Sequence, residues 1–567
     1  MPQLVYILSG ALFTVTVMTA LGALFLHVLG LRFRLQERRL FAFVAGAPVL
    51  SLLVFALASA QLARKGVFVA LGITVIALAA RLRLWRASGE ALAPLARGWR
   101  ILFWPLFLLF AYIYFINALA PEASPDGSAY HLGLVSRYLR AHGFERITTD
   151  MYANLSQGTE LLYMFAFSIG KHSAAALVHF SFLLVLPLSM IAYARRFGFA
   201  PAGITGALLV FLSPIVGFDG STAYIDVAVA CVLFAIFYLL QIWDEERTPG
   251  LLILAGVLAG FAYAMKYTAF VAFPYALVFV AWKTARKGQR LARPLVILSL
   301  CAFVVVAPWM GRNWLWYENP FSPFYNSLFP NPYIHTGLEI NYRAQLAQWG
   351  GVTDKLQIPM EAAVRGGKLQ GVLGPVFLLA PLALLALRYR QGRQLLLAAA
   401  VFLSTYPSNI GTRFLIPHLP FLALAMGMAV MNWKAMAPLL LLAHAASAWP
   451  VYVKLYCDPY ALRLEHVPVK AALRIESEEG YLARRLSRYL VSRMLERYMP
   501  PNARVLADSG PPQAYTNREI LVSYQGALNN NLVDMLKAAR IRDWQPTRRL
   551  TFRLTPQVLR RFRIVQT

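Results

Sequence analysis

The chain has 567 residues, 59% apolar and only 14% charged, where soluble proteins average about 45–50% and about 25%. Apolar blocks near membrane-spanning length exclude a soluble protein with one large core, and solid runs without alternation exclude a transmembrane barrel. The formal charge of +28 does not point to nucleic acid, because the cations sit at span ends and in the C-terminal tail.

The first apolar run lacks a preceding basic region and reads as a retained span, not a cleaved signal peptide. Candidate spans at Leu4–Leu29, Leu40–Ala60 and Gly66–Ala80 make a three-helix membrane extension over residues 1–97. A membrane core over 98–453 opens with Ile101–Ala120 and closes with Ala435–Val453, for roughly 13–14 spans in all. Basic turns at Arg32 to Arg39, Arg195-Arg196 and Lys283 to Arg293 mark the expected cytoplasmic face. The N-terminus, the loops 121–158 and 311–370 and the tail 454–567 are then expected outside. Thr159–Ile169 is apolar but about half a span long, and reads as re-entrant or interfacial. In the tail, Tyr481–Met499 has helical periodicity, while Ala503–Ala507 and Ile520–Tyr524 read as strands. The fold expected is an all-α polytopic membrane protein with a small C-terminal α/β extracytoplasmic domain. Cys231, Cys301 and Cys457 form neither a CxxC pair nor a zinc set.

Ionisable residues at the ends of apolar runs are costly and therefore functional candidates. Asp126 follows Ile101–Ala120, in a stretch whose Pro125 and Gly127 predict a turn. Glu122, Tyr130 and His131 lie beside it, and Leu132–His142 reads as an amphipathic helix along the interface. Asp219 and Asp226 flank the turn between two spans. Lys266 tips a hairpin reached past Gly256 and Gly260. Arg312 closes the span ending at Met310, and Arg413 opens the next polar-headed one. By the topology above, all face the side of Asp126. A carboxylate can take a proton from an attacking hydroxyl, and Lys or Arg can hold a lipid phosphate. Each also has a plainer reading: Asp126 as a turn residue, Asp226 as a helix cap, Lys266 and Arg312 as interfacial anchors, His131 as a hydrogen-bonding structural residue.

The stretch Asp126-Gly127-Ser128-Ala129-Tyr130-His131 with its amphipathic continuation resembles the first outer loop of the GT-C glycosyltransferases. More closely, the chain is similar to bacterial phospholipid-carrier-dependent relatives of protein O-mannosyltransferases and aminoarabinose transferases. Four further stretches carry the resemblance in the family's order: those around Ala223 to Val227, Gly260 to Thr268, Arg312 to Pro320 and Thr412 to Pro420. The resemblance implies an inverting transferase of the bacterial inner membrane, moving a hexose or pentose from a polyprenyl-phosphate donor to a hydroxyl on a glycan, lipid or protein. It implies Asp126 as base; the residue chemistry above makes Lys266, Arg312 and Arg413 the donor-phosphate candidates, with Glu122, Tyr130, His131, Asp219 and Asp226 as acceptor-side or supporting candidates. No cofactor is assigned, and a divalent metal is left open. The sequence departs from the family in having Gly127 where many relatives carry a second acidic residue, and four spans before the loop where one is common. A transporter of a lipid-linked sugar and a non-catalytic scaffold are the alternatives. No inverted repeat supports the first, and the missing acid motivates the second.

Overall fold

The computed structural model describes residues 2–567 except 86–88, 335, 341, 343, 345–350, 409–410, 434, 508, 539–561 and 565–567. Its membrane part is built of apolar helices that run back and forth between two faces. Among the described residues, eight are long and apolar enough to cross a membrane alone, or ten if two bent pairs are each one span. The bent pairs are Ala200–Phe211 with Pro214–Gly220 and Met436–Ser447 with Pro450–Tyr456. The expectation of roughly 13–14 spans counts these together with further helices too short to pass that test. The other expected spans fall on shorter helices: Lys65–Arg81, Pro249–Met265, Pro375–Arg388 and Arg390–Leu403. At 1.5 Å per residue a 14-residue α-helix covers only about 21 Å of a core about 30 Å thick. Pro375–Arg388 is instead a 3-10 helix, whose rise of about 2 Å per residue stretches the same number of residues to about 28 Å.

Small residues let the helices close on one another. A Cβ on Gly22 or Gly46 would lie 1.7 Å from the Ala42 carbonyl oxygen or 1.6 Å from that of Met18, so Pro2–Val28 and Leu35–Ser59 meet backbone to backbone. Gly256 and Gly260 do the same for Pro249–Met265 against Ala292–Tyr317, meeting the carbonyls of Leu298 and Ala302. On the face away from Asp126, buried Glu37 joins Arg196 and Tyr238, which ties the N-terminal helices to the core.

The segment Gly158–Arg196 is 39 residues long, about twice what a single crossing needs, and it breaks at Lys171, where φ is 59° and ψ is −150°. Gly158 accepts from Ser51 Oγ at 2.8 Å, well inside Leu35–Ser59. Gly170 lies against Tyr6 and Ile7, close to the start of Pro2–Val28. The leading half therefore climbs from within the membrane part to the Asp126 face, and the trailing half leaves that face again. This is the geometry of a re-entrant segment.

In the tail, strands Arg504–Ala507 and Glu519–Val522 pair in parallel, and Phe562–Ile564 pairs in parallel on the other side of the first. The expected helix over Tyr481–Met499 is two helices, Glu478–Arg485 and Tyr489–Tyr498. The break falls at Arg488, held in the left-handed region at φ 62° while its guanidinium donates to the Ser509 carbonyl at 2.8 Å.

Candidate active site

The chain leaves Arg97–Leu119 and enters a new helix at Pro125, where the turn was expected. Gly127–His131 then forms one π-helical turn that runs into Leu132–Arg140. Proline suits the start of a helix because its missing N–H has no partner to lose there. Gly127 serves close approach: a Cβ on it would lie 2.4 Å from Ser124 Oγ and 3.0 Å from the Glu122 carboxyl carbon. The widened turn carries Asp126 at its head, half-open to solvent.

Asp126 Oδ2 forms an ion pair with Arg413 Nη2 at 2.5 Å. The Arg413 guanidinium lies over two rings, 4.8 Å from the centroid of Tyr224 and 4.8 Å from that of Phe414. Lys266 lies 4.5 Å from the centroid of the same Phe414 ring, and its ammonium is paired with Asp226. Two cations thus flank one phenyl ring, each held by its own carboxylate. Beside Lys266 and Phe414 lies a small pocket of about 20 Å³, lined by Val229, Leu233, Val271, Phe402 and Pro417 and also by Thr268, Thr405 and Tyr406.

The pairing of Asp226 corrects its expected role as a cap. The Asp226–Glu246 helix is capped by Asp219, whose Oδ1 accepts from the Val227 N–H at 2.9 Å. His179, which sequence reasoning missed, braces the same turn. Its Nδ1 meets the Thr222 carbonyl at 2.9 Å and its Nε2 accepts from the Ala228 N–H at 3.2 Å, the pattern of a neutral imidazole.

Glu122 is buried and spends both oxygens on backbone, accepting from Ser124 N at 2.7 Å and Ala223 N at 2.6 Å. Burial pushes its carboxyl above the usual range. It ties the Asp126 loop to the Asp219–Asp226 turn and is turned away from solvent. His131 Nδ1 meets Glu160 Oε1 at 2.6 Å, both side chains buried. Glu160 is another residue the sequence reading passed over, although a carboxylate opening a short apolar run was the signal for it. Tyr130 stacks on Tyr152 at 4.1 Å between centroids and 10° between planes. Burial, then the nearby charge of Asp126, raises its phenol. Tyr342 from the 311–370 loop feels the same two influences and is pushed up to about 12. Tyr224 accepts from the Asp126 N–H at 3.4 Å, so one ring sits under Arg413 and touches the Asp126 backbone.

Arg312 stands apart from this group. Its guanidinium donates to the carbonyls of Ala153 at 2.9 Å and Leu155 at 3.2 Å and packs on Trp309, Trp316 and Phe144. It holds the short helix Met151–Asn154 in place. The structure therefore brings Asp126, Arg413, Asp226 and Lys266 together, sets Asp219, Glu122, Tyr130 and His131 around them, and leaves Arg312 behind. Among the described residues no three His, Cys, Asp or Glu side chains gather as metal ligands. A divalent cation at Asp126 would also face the fixed charges of Arg413 and Lys266.

Residues 159–311 match the family described as dolichyl-phosphate-mannose-protein mannosyltransferase. No curated protein matches the chain. Among solved structures, it is similar to ArnT from Cupriavidus metallidurans bound to undecaprenyl phosphate, at 14% identity, 79% of this chain and 89% of that one, with a TM-score of 0.48. It is similar also to the oligosaccharyltransferase AglB from Archaeoglobus fulgidus in complex with an inhibitory peptide and a dolichol-phosphate, at 12% identity, 76% and 65% coverage and a TM-score of 0.43. A third likeness is to the mycobacterial arabinofuranosyltransferase AftD, at 13% identity, 76% and 32% coverage and a TM-score of 0.38. The resemblance to GT-C membrane glycosyltransferases, read from five ordered motifs, is borne out over residues 159–311, the segment that holds Asp219, Asp226 and Lys266.

Proposed function

We propose that the chain is an inverting glycosyltransferase, moving a sugar from a polyprenyl-phosphate donor to a hydroxyl-bearing acceptor on the outer face of a bacterial inner membrane. The observation that carries this reading is the pair of cations flanking Phe414, with a small, mainly apolar-lined pocket on the Lys266 side of that ring. A lipid phosphate needs charge at its head and hydrocarbon along its tail, and the two adjoin here. The phosphate exchanges with carboxylate at Arg413 and Lys266, and Asp126 is released as Arg413 turns to the donor. The freed carboxylate takes the proton of the acceptor hydroxyl as its oxygen bonds to the anomeric carbon. The sugar–phosphate bond breaks on the opposite side, and the polyprenyl phosphate leaves with the bonding electrons, so the configuration inverts. Residues 1–97 add a membrane extension to this core, and the tail forms the extracytoplasmic domain.

The test is Asp126→Asn. A positioned base contributes about 10²–10⁴-fold in rate, so transfer should fall by that much or more. Donor affinity should hold or rise, because Arg413 no longer has a carboxylate to give up. Turnover within threefold of the parent chain would remove Asp126 from the chemistry and overturn the mechanism.

A further inference from the structure

The C-terminal domain touches the Asp126 loop at both of its ends. One contact is a short knuckle, Gln513–Tyr515. The Tyr515 hydroxyl donates to the Glu122 carbonyl at 2.8 Å. The Tyr515 ring stacks on His172, 4.5 Å between centroids and 17° between planes, and His172 Nε2 meets the Ala514 carbonyl at 3.1 Å. Ser492 Oγ donates to the Pro512 carbonyl at 3.2 Å and so fixes the knuckle to the body of the domain. Gln513 presses on the helix Leu132–Arg140: a Cβ on Gly133 would lie 2.9 Å from Gln513 Cβ. Just before the loop, Arg474 donates to the Leu119 carbonyl at 3.2 Å and to Ser173 Oγ at 2.8 Å. Beyond the far end, Thr149 donates to Glu519 at 2.9 Å and its carbonyl accepts from Asn529 at 2.8 Å.

Glu122 is therefore gripped twice. Its carboxylate is held by Ala223 N of the membrane core, and its carbonyl by Tyr515 of the tail. Asp126 lies four residues further on, just inside the helix that starts at Pro125. We propose that Tyr515 is a positioning residue through which the C-terminal domain sets the place of Asp126 above Arg413, so that the domain governs the rate of transfer and not the binding of the donor. This rests on the reading of Asp126 as base. Tyr515 bonds the Glu122 carbonyl, whereas Arg413 and Lys266 pair with Asp126 and Asp226.

The experiment uses the full chain in detergent with a polyprenyl-phosphate sugar and acceptor. Tyr515→Phe keeps the ring and its stack and deletes one hydrogen bond. A net hydrogen bond corresponds to about 2- to 13-fold, and kcat should fall by that factor with KM for the donor unchanged within twofold. In an Asp126→Asn background the same change should have no further effect, because Tyr515 acts only through that carboxylate. Gly133→Ala, which displaces the knuckle from the other side, should reproduce the kcat loss. An unchanged kcat in Tyr515→Phe, or a loss that multiplies undiminished onto Asp126→Asn, overturns the proposal. So does a parallel fall in kcat, donor affinity and Tm, which would mark a purely structural contact. An active Asp126→Asn would sink the base reading itself, a result distinguishable from any of these.

Discussion

The Lys266–Asp226 pair offers a severe test, because both partners are poorly hydrated: their side chains are 17% and 2% exposed. Lys266→Met removes the cation and leaves the Asp226 carboxylate buried without a partner. Breaking a buried pair from one side costs about 3–5 kcal/mol, whereas replacing both charges is often near neutral. Lys266→Met should therefore lower the unfolding temperature of purified protein by several degrees. The double variant Lys266→Met/Asp226→Asn should recover most of that loss. Donor affinity behaves differently. It should drop in both variants, since a charge-assisted hydrogen bond to the phosphate is worth about 1.5–3 kcal/mol, or about 10- to 150-fold. The assay pairs thermal unfolding in detergent with binding of a non-hydrolysable polyprenyl-phosphate analogue. Recovery of stability without recovery of binding is the expected signature. If the double variant binds donor as the parent does, Lys266 is only a partner for Asp226, and the two-cation site is wrong.

Other outcomes follow from the same geometry. Arg312→Ala should destabilise the fold by undoing the Met151–Asn154 contact, while donor affinity per folded molecule changes less than threefold; a large affinity loss would return Arg312 to the donor site. Asp150, buried with its carboxyl pushed up to about 6, should make the protein less stable as pH rises from about 4 to about 6. The folded form holds this proton more tightly than the unfolded chain, so the stabilisation present below pH 4 is lost by pH 6 and above. Asp150→Asn should then gain in unfolding temperature relative to the parent across that window and no further above it; a constant difference would refute it. A cysteine at exposed Tyr460 should react with an impermeant label in intact cells, and one at exposed Gln289 should not. The reverse pattern would invert the proposed orientation. The 311–370 loop, of which 335, 341, 343 and 345–350 lie outside the described residues, should show slower hydrogen exchange on donor binding, because its Tyr342 feels the charge of Asp126.

What could be read in advance was what hydropathy and terminal charge encode. The helical runs, the half-length segment at Thr159–Ile169 and the two tail strands all write their own local signatures. Side-chain partnership does not. Nothing near Asp126 in the chain announces Arg413, and nothing near Lys266 announces Asp226; tertiary packing makes both pairs. Asp226 looked like a cap because it opens a helix, yet the capping oxygen comes from Asp219, seven residues earlier. Arg312 looked like a phosphate ligand because it ends a span among aromatics. Those aromatics enclose it, and its donors go to backbone carbonyls. Pro125 and Gly127 looked like turn residues, but one starts a helix and the other makes room for Glu122.

The 3-10 helix Pro375–Arg388 has its own logic in the residues. Phe377, Ala380, Ala383 and Ala386 recur every three positions and form one inward column, with Leu378, Pro381, Leu384 and Leu387 exposed one step round. A repeat of three keeps such a column straight only at three residues per turn. Relaxed to an α-helix, the nine steps from Phe377 to Ala386 would advance two and a half turns, about 180° out of line, and the fourteen residues would shorten by about 7 Å. Bilayer thickness acts on such a segment directly, because a thicker core favours the longer form and a thinner one the shorter. The segment packs along Leu419–Val430. Since that helix continues Thr412–His418, which carries Arg413, the membrane's thickness has a mechanical route to the ion pair that keeps Asp126 occupied.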